Sequence, residues 1–278
     1  MLDTEATEWR LIPEESRPGP MCMALDAVAA ETAAAGGPRT VRVYQWEPAT
    51  LSLGYHQNEA TIDWEYCTEQ DITVTRRPTG GGAIYHDAYG DISYSIIAPA
   101  DELPGDLMTC YEQLCQPLLT ACASMGVPAD FAEEPREALF EPACYLRDIH
   151  PAHDIVYDGK KLSGNAQYRR RDSVIQHGSL TYRATPERTR SCFVEPATSI
   201  EAVESRITGI EAHVGLDRED CVRALESALG EWAHAEVGTW SDTELDRART
   251  IANEKFDADA WNRSGTDPLA DTVTQRSG

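Results

Sequence analysis

The chain of 278 residues carries 47 acidic against 24 basic side chains, a formal net charge of −23, and is 41% hydrophobic. That length and apolar share support one large domain with a real core, and 6 Trp and 11 Tyr argue against a disordered chain. The charge repels nucleic-acid phosphates and anionic membranes over most of the surface, which excludes general binding to either as a first expectation.

The acidity goes with a shortage of lysine. Lys160, Lys161 and Lys255 stand against 21 arginines. Solvated carboxylates keep proteins dispersed where salt screens other charges, so the composition predicts a cytoplasmic protein adapted to high salt. The competing explanation is an arginine-rich codon bias. MLDTEATEWR at the N-terminus has no apolar run and reads as no signal peptide. No stretch approaches the ~18 consecutive apolar residues of a membrane span. The eight cysteines are scattered without a CxxC pair, so neither zinc nor a disulfide framework is expected. Most read as reduced, buried small hydrophobes.

In chain order, a breaker at RPGP precedes an Ala-rich helix over residues 21–35, stopped by Gly-Gly-Pro. VRVYQW (41–46) and ATLSLGY (49–55) read as strands joined by a Pro-containing turn. ITVTRR (72–77) is a third strand and runs into the glycine triplet Gly80 to Gly82. GAIYH and DISYSIIAP (91–99) resume the strand pattern and are placed as a hairpin. LMTCYEQLCQPLLTACASMG has helical spacing, with Pro117 predicting a kink or two helices. HDIVYDGKKLSGNAQYRR and SVIQHGSLTY read as two or three short strands, with Asp158-Gly159 as a turn. From about residue 185 the pattern becomes helical. The fold class is therefore α+β, with a mixed, largely antiparallel sheet flanked by helices. One catalytic domain is assigned to 1–262, and 263–278 reads as a polar, disordered tail.

Two stretches carry chemistry. In RRPTGGGAIYHD, glycines after a strand let backbone N–H groups approach a ligand, and Arg76 and Arg77 can pair with carboxylate or phosphate. The spacing is not that of a Walker loop. In GKKLSGNAQ, a lysine-poor chain places two lysines side by side. By strand alternation Lys160 and Lys161 point to opposite sides of the strand. An ammonium there can neutralise charge developing on a phosphate or acyl oxygen.

MALDAV, TLSLGYHQ, RRPTGGGAIYHD, HDIVYDGKKLSGNAQ, QHGSL and EKFDADAWN together resemble landmarks of the lipoate–protein ligase and octanoyltransferase family, in family order, over roughly residues 20 to 262. The resemblance implies a sheet-and-helix fold shared with biotin–protein ligases, a tunnel for an eight-carbon chain, and acylation of a lysine on a lipoyl carrier domain. The carriers implied are glycine cleavage H protein and the E2 subunit of 2-oxoacid dehydrogenases. No GRGRxGR-type loop is present, which makes biotin the lesser candidate.

Within the family the first expectation is ATP-dependent ligation through lipoyl-AMP, with lipoate as substrate and ATP and Mg²⁺ required. Lys161 would neutralise charge on the acyl-phosphate. Arg76, Arg77, Gly80, Gly81 and Gly82 would hold the adenylate, with His86 and Asp87 fixing the loop's far end. Gly164, Asn165 and Ala166 would complete the binding surface. Asp154, in a His153-Asp154 pair where ligases carry Asn-Asp, is the Mg²⁺ candidate. The chain shows no accessory domain, so a ligase would use a separate accessory protein or act alone. The alternative is octanoyl transfer from acyl carrier protein, with Cys144 as nucleophile and Lys161 or Arg147 favouring its thiolate. A metal site at His150 and His153, and a lipoate-binding protein without catalysis, are weaker alternatives.

Overall fold

The structure is a computed structural model that describes residues 8–149 and 154–270. Its strands in the first half are β1 (Trp9–Arg17), β2 (Arg39–Trp46), β3 (Thr50–Leu53), β4 (Thr73–Arg76), β5 (Ile84–His86) and β6 (Asp91–Pro99). The later strands are β7 (Asp130–Phe131), β8 (Asp154–Tyr157), β9 (Lys160–Arg169), β10 (Ser173–Thr181) and β11 (Glu236–Val237). The main helices are α1 (Gly19–Ala34), α2 (Trp64–Glu69), α3 (Leu107–Ser124), α4 (Pro186–Ser191), α5 (Ile200–Arg206), α6 (Arg218–Ala233), α7 (Asp242–Ile251) and α8 (Asp259–Asn262).

An eight-stranded sheet runs β11-β1-β2-β6-β10-β9-β8-β7, and a three-stranded sheet runs β4-β3-β5. The β1 pairings with β2 and β11 are parallel and the rest of the large sheet is antiparallel. The expected mixed, largely antiparallel α+β class is therefore correct. The hairpin of β5 with β6 does not form. β5 pairs with β3 in the small sheet, whereas β6 lies between β2 and β10 in the large one. β1 also precedes every element that hydropathy marks.

Strand alternation distributes the layers. Val41, Val43, Ile92, Tyr94 and Ile96 turn toward α3 and α6 and form one core. The intervening residues Arg42, Ser93 and Ser95 turn toward α1, so this face is unusually polar for a buried one. Asp26 on α1 resolves that polarity. Its carboxylate meets Arg42 Nη1 at 3.1 Å, accepts from Ser95 Oγ at 2.9 Å and lies 3.5 Å from His177 Nδ1. α1 starts with Pro20 in its first turn, where a missing N–H leaves nothing unpaired, and stops before Gly36 at φ +83°.

α3 continues through Pro117 as a single helix. An interior proline costs about 3 kcal/mol, and the buried stripe of Leu114, Cys115, Leu118 and Cys122 against the sheet and α6 offsets it. The last predicted helix divides into α7, a π-helical turn over Ala252–Phe256, and α8. Residues 263–270, expected as the start of a loose tail, pack on the domain. Lys255 Nζ meets Asp267 at 2.6 Å, Leu269 joins the α1–α7 cluster, and Arg263 lies over the Trp64 ring. Residues 271–278 lie outside the described residues. Among the described residues no helix is long and apolar enough to cross a membrane.

Candidate active site

The small sheet presents the glycine loop between β4 and β5, and of the two arginines before it Arg77 holds the loop's own carbonyls. Arg77 Nη1 donates to the Ser52 carbonyl (2.6 Å) and hydroxyl (2.8 Å), Nη2 to the carbonyls of Gly80 (3.1 Å) and Gly82 (2.9 Å), and Nε to Thr79 Oγ1 (3.2 Å). Burial pushes its pKa down, and five hydrogen bonds satisfy the fork. Gly81 stands at φ +91°, a left-handed conformation that disfavours side chains, and its carbonyl packs directly on Gly54.

Arg76 points away from the loop. Its Nη1 donates to the carbonyls of Gly54, Tyr55 and Gln57, each at 2.9 Å, and its Nε and Nη2 reach those of Trp261 and Asn262. Arg76 and Arg77, expected to contact a charged ligand, are both held by the protein itself in this structure: Arg76 by backbone carbonyls, Arg77 by carbonyls and the Ser52 and Thr79 hydroxyls, although Arg77 still lines the pocket. Each buried carbonyl left without its donor costs about 1–3 kcal/mol. Arg76→Ala is expected to lower stability by at least about 3 kcal/mol in urea denaturation and to make the segment after residue 252 protease-sensitive. An unchanged midpoint would reject this clamp role.

Cys144 is delivered to the loop by a short pairing. Ala83 N donates to Pro142 O at 2.8 Å and Cys144 N donates to Ala83 O at 2.6 Å. A side chain on Gly82 would meet Cys144 N and Pro142 O at 3.0 Å, so this glycine is needed for the approach. Gly80 has open space around it and no such constraint. On the other side, a Cβ on Gly164 would lie 3.2 Å from Lys161 Cε, 3.5 Å from Lys161 Nζ and 3.9 Å from Cys144 Sγ. The thiol and the ammonium thus converge over the bare backbone of Gly164.

Lys161 is 4% exposed, with Nζ 2.5 Å from Asp154 Oδ1 and 5.3 Å above the Tyr145 ring. Burial lowers its pKa, but the opposing charges of Cys144 and Asp154 outweigh burial and raise it, so the ammonium is retained at neutral pH. The stability this gives is complete below the unfolded lysine value of about 10.4 and is lost as pH rises through the folded value. Asp154, expected as a Mg²⁺ ligand, is the ion-pair partner of this lysine. Among the described residues no cluster of three His, Cys, Asp or Glu could hold a metal ion. His150 and His153 lie outside the described residues. Lys160 leaves the site and donates to Glu204 O at 2.8 Å.

From Cys144 a pocket runs inward between the glycine loop and β10. Gly80, Gly81, Gly164, Asn165 and Ala166 line it near the thiol, with Arg77 behind the loop. Trp46, Ile84 and His86 form one wall. His86 is stacked 4.2 Å from Trp46, meets Ser52 Oγ at 2.8 Å through Nε2 and bonds Asp91 through Nδ1. Burial pushes its pKa down against the raising effect of Asp91. Asp87 stays outside and accepts from the N–H groups of Tyr89 and Gly90, which fixes the turn after the loop. Asn165 Oδ1 accepts from Tyr94 OH at 2.7 Å. The sequence-based site omits Trp46, Met23, Tyr145, Ser179 and His177. Of these, Met23 opens MALDAV and His177 and Ser179 lie in QHGSL, stretches the sequence marks as landmarks, whereas Trp46 and Tyr145 carry no such signal.

A half-buried thiol beside an open pocket, with a buried ammonium close to it, on a mixed sheet flanked by helices, is an arrangement suited to nucleophilic chemistry on an acyl group. The model of the lipoyl protein ligase A/B catalytic domain matches residues 19–230, and the chain belongs to that family. Octanoyltransferase LipM of Symbiobacterium thermophilum is 31% identical over 280 residues, covering 92% of this chain and 98% of that protein. Octanoyltransferase LipM of Bacillus subtilis is 29% identical over 251 residues, covering 81% and 86%. Similar folds occur in lipoate-protein ligase A bound with ATP (TM-score 0.77, 21% identity, 92% of this chain and 99% of that one). The bi-partite lipoate protein ligase of Thermoplasma acidophilum is comparable (TM-score 0.75, 20% identity, 92% and 96%). The full-length relatives named as octanoyltransferases overturn ATP-dependent ligation as the first expectation; the ligase likeness, below 25% identity, concerns the fold.

Proposed function

We propose that the protein is an octanoyltransferase of protein lipoylation. The observation that carries this reading is that Cys144 is half-exposed at the pocket mouth, beside Lys161, whereas the other seven cysteines are buried. The Cys144 thiolate attacks the thioester carbonyl of octanoyl-acyl carrier protein. The C–S bond to the carrier's pantetheine breaks, its thiolate leaves, and an octanoyl thioester remains on Cys144. The amine of a lipoyl-domain lysine then attacks that thioester, an amide forms, and the Cys144 thiolate leaves as the ammonium proton passes to solvent. Lys161 stands where negative charge develops on the carbonyl oxygen in both halves. No nucleotide is consumed. H protein and E2 lipoyl domains are the proposed acceptors.

The test supplies octanoyl-acyl carrier protein without ATP and follows the intact mass of the enzyme, then adds a lipoyl domain. One octanoyl group on the enzyme that moves to the domain supports the scheme; acylation of the domain only with lipoate and ATP sinks it.

The net charge of −23 supports a second part of the proposal, adaptation to high salt. Octanoyl transfer is expected to rise with KCl toward molar concentrations. An optimum in dilute buffer with inactivation in concentrated KCl would remove it.

A further inference from the structure

The acyl pocket shares two lining residues with a second cavity. Met23 on α1 and His177 on β10 line both spaces. The second cavity is the larger, about 580 Å³ against about 70 Å³, and lies between α1, the β9–β10 end, α7 with its π-helical turn, and residues 267–270. Ala27, Ile175, Ile251, Phe256 and Leu269 give it apolar wall, and charged pairs such as Lys255–Asp267 and Arg247–Glu31 stand among its lining residues.

The two partition residues differ in how they are held. His177 Nε2 meets Thr79 Oγ1 at 2.9 Å, and its Nδ1 lies 3.5 Å from Asp26, so the ring is fixed in a hydrogen-bonded network. Met23 is 2% exposed and is held by packing alone within the α1–α7 cluster. An unbranched thioether held this way is the adaptable part of a wall. We propose that Met23 is the chain-length stop of the acyl pocket, the residue against which an eight-carbon chain ends and beyond which a longer chain would enter the second cavity. This rests on the acyl-transfer reading for its substrate class, but not for its geometry.

Hexanoate, octanoate and dodecanoate binding is measured by calorimetry on wild type, Met23→Ala and Met23→Phe, with transfer from the matching acyl-acyl carrier proteins followed in parallel. Wild type is expected to favour the shorter chain. Met23→Ala should shift the dodecanoate-to-octanoate ratio at least about tenfold toward dodecanoate, since each buried methylene contributes about 0.8 kcal/mol. Met23→Phe should weaken octanoate relative to hexanoate, so the proposal is still tested if the alanine variant fails to fold. Ratios that stay at the wild-type value in the folded variants, or chains that bind none of the three proteins, overturn the stop. Absence of transfer in every protein, with the binding ratios shifted as expected, overturns the octanoyltransferase reading and leaves the stop standing.

Discussion

Cys144→Ser is expected to remain folded, to gain no octanoyl group from octanoyl-acyl carrier protein, and to transfer at least about 10³-fold more slowly than wild type. Three features place this large effect on one atom. Gly82 lacks a side chain that would crowd the cysteine backbone, and Gly164 one that would crowd Lys161 beside it. Its backbone is pinned to Ala83 O. The ammonium of Lys161 lies over the same glycine as the thiol. A serine hydroxyl is a far poorer nucleophile than a thiolate at neutral pH, so a change of one atom removes the acyl-enzyme without altering the packing. The half-exposed position makes the stability change small. Far-ultraviolet circular dichroism and intact mass, read on one preparation, check both halves. Wild-type transfer by Cys144→Ser would mean that the carrier lysine attacks the donor thioester directly.

Lys161→Met carries the second large effect, and its two consequences separate. Activity is expected to fall about 10²–10³-fold, because the positive charge that stabilises the tetrahedral oxyanion is gone. Stability is expected to fall by about 3–5 kcal/mol, because Asp154 loses the cation it is buried against. The double variant Lys161→Met with Asp154→Asn should recover most of the stability and none of the activity. Recovery of both would make Lys161 a structural partner of Asp154 and nothing more. Lys161→Arg is not a conservative control here. A planar guanidinium presents a wider fork than the compact ammonium and does not reproduce the Nζ contact with Asp154.

Much of the site was legible in the chain because its residues lie in two short stretches. The glycine triplet, His86 and the Lys161–Ala166 strand all reach the pocket or its mouth. Arg76 and Arg77 misled because a guanidinium beside glycines has two uses, holding a ligand or holding the loop's own carbonyls. For Arg76 the answer depends on Gly54, Gln57, Trp261 and Asn262, brought in from 19 to 186 positions away, and for Arg77 on Ser52 and the curl of its own loop. Strand identity was legible from alternation, but the sheet to which a strand belongs was not. β5 and β6 are adjacent in sequence and lie in different sheets because their pairing partners, β3 for one and β2 with β10 for the other, are distant in the chain.

The sequence by itself determined the α+β class, the glycine loop and the singular lysine, because each is written in local periodicity or in a contiguous motif. The family resemblance already names Cys144 in the transferase alternative; the tertiary structure added that it is half-buried at the pocket while the other seven cysteines are buried, a property of packing and not of neighbours in the chain. It also set Asp154 against Lys161, and Met23 beside two cavities. Those positions come from segments of α1, β8, β9 and β10 that meet across the sheet, and no local pattern encodes such a meeting.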